Sequence, residues 1–138
     1  MACYSETLAC KLHNPFNIRY NSSNHWLGQI GVLRNFCHFE SEFFGVRAGF
    51  IVLKNYIKNG FNTPKKIIER FAPSIENDVN AYLSYCCEAS NLLQDTIINN
   101  SFDLFKFGVA MMYYESSYIP LPSICSYIID TLKFWTYE

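Results

Sequence analysis

The sequence has 138 residues, of which 11 are basic and 12 acidic, and half of its residues are hydrophobic. This length is typical of one domain, and the hydrophobic content suffices for a core. The net charge of -1 disfavours nucleic acid as a partner, because nucleic-acid-binding proteins need a basic face to neutralise phosphates. No apolar run approaches about 18 residues, so we expect neither a membrane-spanning helix nor a membrane partner. The first ten residues lack a basic stretch followed by an apolar one, and we therefore expect no secretory signal.

The cysteines and histidines predict neither a metal site nor a cofactor. The six cysteines form no CxxC pair, and Cys86 and Cys87 are adjacent, which suits a shared zinc ion poorly. The histidines match no metal-binding spacing. Without a secretory signal, the thiols are expected to be reduced.

After an N-terminal segment, residues 1–13, the chain predicts short strands and turns over residues 14–39. Residues 16–20 are compatible with a strand, and a turn is expected across residues 28–31. Residues 32–39 alternate loosely between apolar and polar side chains, which predicts a further short strand.

The remaining region, residues 41–133, predicts about five helices. In the first of these helices, apolar residues cover more than one face of the helix, so it is expected to be the buried central helix. We therefore expect a single domain of mainly α (α+β) class. The expected helices run from Ser41 to about Asn59 with Gly60 after it, from Thr63 and Pro64 to Pro73, across Val79 and Cys86, from Ser101 to about Glu115, and onward from Pro122.

Glu115 is the first candidate catalytic residue. It ends an apolar helix among aromatic side chains, where partial desolvation would favour the protonated form that a general acid needs. The alternative is an exposed carboxylate at a frayed helix end. Glu40, Glu42 and Glu76 are candidates for a second catalytic carboxylate, although each lies near a helix start, where the helix dipole alone favours an acidic residue.

Amide and aromatic side chains cluster between residues 14 and 29, as they do in carbohydrate sites. Amides hydrogen-bond hydroxyl and acetamido groups, and aromatic faces pack against sugar rings. A loop whose asparagines satisfy its own turns is the alternative. The expected substrate-binding residues are Asn14, Asn17, Arg19, Tyr20, Trp26, Gln29 and Tyr118.

Several blocks, taken in order over roughly residues 13–118, resemble a family of small phage and prophage virion proteins. The blocks are N-P-F-N-I-R at 14–19, W-L-G at 26–28, F-C-H-F at 36–39 and G-V-R-A at 45–48, followed by N-T at 62–63, I-I at 67–68, R-F-A-P at 70–73, E-N at 76–77 and Tyr82. This family is commonly labelled structural and is related to phage lysins with a lysozyme-like fold. Phe16 stands where the family usually has glycine.

A looser similarity is to bacterial glucosaminidases that cleave peptidoglycan. Their E-S-G motif precedes an N-x-x-G-I-K strand, whereas the corresponding E-S-S here lies near the other end, at 115–117, with Ser117 in place of glycine. A circularly permuted arrangement is the hypothesis that follows, since permutation is tolerated when chain termini lie close together. It requires the Glu115 carboxylate within about 10 Å of Asn17 or Trp26.

The resemblance implies a lysozyme-like domain that cleaves peptidoglycan glycan strands, with Glu115 as general acid. A lytic transglycosylase would need only this acid, because the 6-hydroxyl of the sugar closes an anhydro ring, whereas a hydrolase needs a second carboxylate at about 5 to 9.5 Å. The near-neutral charge is atypical of wall-degrading enzymes. The alternatives are a non-catalytic virion protein, which would contact other virion proteins, and a module that binds peptidoglycan without cutting it. The implied location is the virion, or the host cytoplasm before delivery to the cell wall.

Overall fold

The computed structural model describes residues 7–72 and 78–132. The expected mainly α (α+β) class is confirmed. Within the described ranges, no helix is long and apolar enough to cross a membrane. The elements are α1 (Leu8–Lys11), β1 (Gln29–Leu33), β2 (Phe36–Phe39), α2 (Glu42–Lys58), α3 (Pro64–Phe71), α4 (Val79–Ser90), α5 (Ser101–Ser116) and α6 (Pro122–Leu132).

The helix boundaries follow local capping chemistry. The Thr63 side chain accepts a hydrogen bond from the Lys66 amide at the start of α3, as predicted, and Gly60 follows α2 with a positive φ of 93°. The predicted end of α3 at Pro73 lies outside the described residues. The short helix α1 has only four residues and was missed, because one turn carries no apolar periodicity.

The N-terminal β element differs from the prediction. Residues 16–20 do not form a strand, because Asn17 has a φ of 55° and interrupts the extended chain, leaving one isolated bridge between Arg19 and Phe36. Strands β1 and β2 instead form an antiparallel hairpin. The two-residue turn between these strands is Arg34 and Asn35, both at positive φ. The turn that the sequence predicts across residues 28–31 is therefore not the turn of this hairpin.

Helices α2 and α5 form the centre of the core, and α5 also packs against α4 and α6. Gly49 of α2 faces the ring of Phe16, and Gly108 of α5 faces the ring of Phe50, so that a side chain at either glycine would overlap a ring. Phe16 is fully buried and meets Phe50 edge to face, with ring centroids 5.5 Å apart. Phe16 is therefore part of the core, and the following residue, Asn17, adopts the left-handed backbone.

The cysteines are not all reduced. Cys10 is disulfide-bonded, which corrects the expectation, whereas the described residues Cys37, Cys86, Cys87 and Cys125 are free thiols. Burial raises the pKa of Cys86 far above its ordinary value, so this thiol stays protonated and packs as a small apolar side chain. No group of three or more His, Cys, Asp or Glu in the described part of the chain is arranged to hold a metal ion.

Candidate functional site

An open cleft of about 680 Å³ lies between the N-terminal loop (residues 17–26), helix α2, the end of helix α3 and the end of helix α5. Its wall combines amide, aromatic and guanidinium groups with one carboxyl among the described lining residues. The described residues that line it are Asn17, Ile18, Arg19, Tyr20, Asn21, Asn24, Trp26, Phe36, Val52, Asn55, Tyr56, Arg70, Phe71, Ala72 and Glu115.

Glu115 is held at the cleft by Asn17. The Asn17 side-chain nitrogen donates to Glu115 Oε1 at 2.9 Å and to the Glu115 backbone carbonyl at 3.3 Å. Asparagine tolerates the left-handed backbone found at residue 17 better than most residues do. This conformation places the amide against the last turn of α5, so the contact fixes one face of the carboxyl.

Asn14 builds the loop that presents Asn17. Its side-chain nitrogen donates to the carbonyls of Ile18 and Cys37, both at 3.0 Å, and its Oδ1 accepts from the Ile18 amide at 2.9 Å. Asn14 is fully buried and does not line the cleft. The structure therefore gives Asn14 a scaffolding role, which corresponds to the alternative interpretation of these asparagines.

The surroundings of Glu115 favour a protonated carboxyl. Burial raises the pKa of Glu115 above its ordinary value, and this effect outweighs the hydrogen bond from Asn17, the neighbouring Tyr82 and the charge of Arg19, all of which lower it. Tyr82 is fully buried, and burial together with the nearby Glu115 carboxylate raises the pKa of its phenol. The Tyr82 hydroxyl has no hydrogen-bond partner in the described structure.

Of the predicted substrate-binding residues, Asn17, Arg19, Tyr20 and Trp26 line the cleft together with Glu115. The other three lie elsewhere, and Asn14, as described above, is buried in the loop. Gln29 begins strand β1 and is not among the described lining residues. Tyr118 follows α5 and is fully buried, with a hydroxyl that has no hydrogen-bond partner among the residues described.

The two described candidates for a second catalytic carboxylate are not among the described residues that line the cleft with Glu115. Glu40 and Glu42 line a separate recess of about 350 Å³, together with His13 and Leu121. Burial, followed by the nearby Glu42 carboxylate, raises the pKa of Tyr118. Glu76 falls outside the described residues.

Sequence reasoning missed the wall that α2 and α3 contribute. Val52, Asn55 and Tyr56 share one face of α2 at i, i+3 and i+4, and Arg70 lies in the last turn of α3. Asn55 carried no distinctive signal, because α2 also contains the polar residues Glu42, Arg47, Lys54 and Lys58. Arg70 carried no signal in the local pattern either.

The 2.9 Å contact between Asn17 and Glu115 meets the distance condition that the permutation hypothesis sets. The permuted arrangement itself stays a hypothesis.

Comparison with known proteins gives one informative similarity. No family model matches the sequence. A stretch of 93 residues is 29% identical to "Protein P5" of Pseudoalteromonas phage PM2, covering 64% of this chain. The chain is similar to a phage protein. The chain spans 58% of the length of that relative. The similarity agrees with a resemblance to phage proteins, and it does not extend to the lysozyme-like fold.

Proposed function

We propose that this protein cleaves the glycan strands of peptidoglycan with Glu115 as the general acid. The observation that carries the proposal is the partly buried Glu115 carboxyl, held 2.9 Å from Asn17 beside an open cleft. Because burial raises its pKa, this carboxyl keeps its proton at pH values where an exposed glutamate is ionised. A protonated carboxyl can donate its proton to the glycosidic oxygen as that oxygen leaves.

The cleft wall supports a carbohydrate as the ligand. Tyr20 and Trp26 supply aromatic surface for sugar rings, and Tyr20 is 45% exposed and so accessible. Asn21, Asn24 and Asn55 supply amides that can pair with hydroxyl and acetamido groups. An apolar platform with a few polar groups is typical of small-molecule and sugar sites.

The single carboxyl favours the transglycosylase form of the reaction. Glu115 is the only acidic residue among those described along the cleft, and a mechanism in which the sugar's own 6-hydroxyl attacks needs one acid. A hydrolase would need a second carboxylate. Glu76 stays the candidate for that role, since it follows the cleft residue Ala72 by four positions in the sequence.

The test is release of soluble glycan from purified peptidoglycan, with the products identified by mass. We expect anhydro products from the wild type, none from Glu115→Gln, and unchanged release from Glu40→Gln, which alters an exposed acid in the other recess. Reducing-end products that disappear in Glu76→Gln would identify a hydrolase instead. No release by the folded wild type from several wall types would overturn the proposed activity.

A second candidate function is a non-catalytic structural protein of a phage particle. The similarity to "Protein P5" of phage PM2 favours this role, because it is a likeness to a phage protein. A lysozyme-like domain can lose its chemistry and keep its fold, since function depends on the site. Stoichiometric presence in purified particles, together with no glycan release by the folded protein, would establish the structural role.

A further inference from the structure

We propose that a row of tyrosines between helices α4 and α5 extends the sugar-binding surface beyond Glu115, and that its exposed members hold a further stretch of the glycan strand. The tyrosine row consists, in spatial order, of Tyr82, Tyr114, Tyr85 and Tyr113. This inference rests on the proposed function for the identity of the polymer. It adds a binding surface to the cleft, since none of these tyrosines is among the described cleft-lining residues.

The rings of the tyrosine row follow one another without a break. Tyr82 and Tyr114 are stacked, with ring centroids 4.2 Å apart. The centroid of Tyr114 lies 5.6 Å from that of Tyr85, and the centroid of Tyr85 lies 6.2 Å from that of Tyr113. The first and third of these rings come from one face of α4, and the other two come from the end of α5. Because the rings hold each other in place, a ligand that packs on them does not have to order them first.

The tyrosine row begins at the proposed acid. Tyr82 is fully buried, and burial raises the pKa of its phenol, with further contributions from the neighbouring Glu115 and Tyr114. Asn17 holds the Glu115 carboxyl from the N-terminal loop, whereas Tyr82 belongs to α4. Glu115 therefore lies where the cleft and the tyrosine row meet. A polymer that is cut at Glu115 extends to both sides of the broken bond, and binding on both sides positions that bond for the reaction.

The far end of the tyrosine row has the properties of a sugar platform. Tyr113 is 44% exposed and Tyr114 is 41% exposed, while Tyr85 is half-buried. The hydroxyl groups of these three side chains form no hydrogen bond with any residue that the structure describes. A tyrosine offers a flat apolar face together with a hydroxyl that both donates and accepts hydrogen bonds. The exposed rings can therefore pack against a sugar ring while their hydroxyls pair with those of the sugar.

The test compares two lengths of soluble, peptide-free peptidoglycan glycan, a tetrasaccharide and an octasaccharide. Binding is measured by isothermal titration calorimetry with Glu115→Gln, so that the glycan is not consumed. We expect the octasaccharide to bind about tenfold more tightly, because only the longer ligand reaches from the cleft onto the exposed tyrosines. Equal affinity for the two lengths, or no binding of either, would overturn the inference.

Tyrosine variants locate the effect. In the Glu115→Gln background, Tyr113→Ala and Tyr114→Ala are each expected to weaken octasaccharide binding by about fivefold and to leave tetrasaccharide binding unchanged. Phe102→Ala is the matched control, since it removes an exposed aromatic ring from the other end of the same helix, and it should change neither affinity. Equal losses on both glycans would mean that the tyrosines act through the fold or through the Glu115 site, which would also overturn the inference.

Failure of this inference is distinguishable from failure of the proposed function. Tyrosine-dependent binding of the longer glycan without any glycan release by the wild type would leave the tyrosine row standing and remove the enzyme. Glycan release by the wild type, with octasaccharide binding that is indifferent to Tyr113→Ala and Tyr114→Ala, would do the reverse. Normal glycan binding by Tyr113→Ala, together with its loss from purified phage particles, would assign the surface to a protein partner and overturn the inference.

Discussion

Replacing Asn14 with alanine removes three hydrogen bonds from the loop that presents Asn17 to Glu115. The side chain is fully buried, so water cannot replace the lost partners without entering the core. The Ile18 amide loses the acceptor that Asn14 provides, and the carbonyls of Ile18 and Cys37 each lose a donor. Every one of these groups belongs to the backbone, so the change acts on the position of the loop itself.

The expected cost follows from those three contacts. A buried hydrogen bond contributes about 1 kcal/mol net, and a buried donor left without an acceptor costs about 1 to 3 kcal/mol. Asn14→Ala should therefore lower the free energy of unfolding by about 3 to 4 kcal/mol. For a chain of this length, such a loss lowers the melting temperature by about 10 °C.

Urea unfolding followed by circular dichroism, together with thermal melting, measures this loss. Asn24→Ala is the control, because residue 24 is an exposed asparagine of the same cleft, and its expected change is within about 0.5 kcal/mol. A loss below about 1 kcal/mol for Asn14→Ala would refute the scaffolding role.

Three further predictions concern the acid and the packing around it. The pKa of Glu115 is raised in the folded state, so the stability that its protonated form contributes is lost as pH rises through that pKa. Glu115→Gln should therefore gain stability relative to wild type from acidic to neutral pH. A pH-independent difference between the two proteins in paired urea titrations would contradict this. Ser117 caps the end of α5 at a φ of 58°, a conformation that glycine adopts without strain. Ser117→Gly should therefore raise the free energy of unfolding by about 1 kcal/mol and the melting temperature by about 3 °C. A lower melting temperature would show that the serine hydroxyl matters more than its backbone strain. Gly49→Ala should lower the free energy of unfolding in urea by about 1 to 3 kcal/mol, because its methyl group would overlap Phe16. Gly31→Ala is the control: its methyl group would lie 3.9 Å from the nearest side chain, so stability should change by less than about 0.5 kcal/mol. Equal effects of the two substitutions would contradict the close approach of Gly49 to Phe16.

The helices could be predicted because their signals are local. Thr63 and Pro64 stand in the order that begins a helix, and Val79 with Cys86 follows the helical period. The hairpin could not be placed correctly, because its turn uses Arg34 at positive φ, for which the sequence has no marker. Gly28 did mark a turn, at a φ of 80°, but one that leads into β1.

The sequence predicted a residue of the candidate site only where the pattern of that residue's own segment marked it. Asn17 and Trp26 were found from the cluster of amides and aromatics, and Glu115 from the apolar helix that it ends. Arg70 and Asn55 come from helices whose positions depend on packing, so no local pattern connects them to the N-terminal loop. The role of Asn14 depends on which backbone groups surround it, and this too is settled by the tertiary structure.

The contact between Asn17 and Glu115 joins positions that are 98 residues apart in the chain. During synthesis, the loop that carries Asn17 emerges first, and Glu115 arrives only with α5. The same helix supplies Phe107 and Met111 to the core, both fully buried. A chain that has not yet added α5 therefore has neither its acid nor a complete core. Under the proposed function, cleavage activity would appear together with the finished fold, so a turnover assay would also count the molecules that have completed folding.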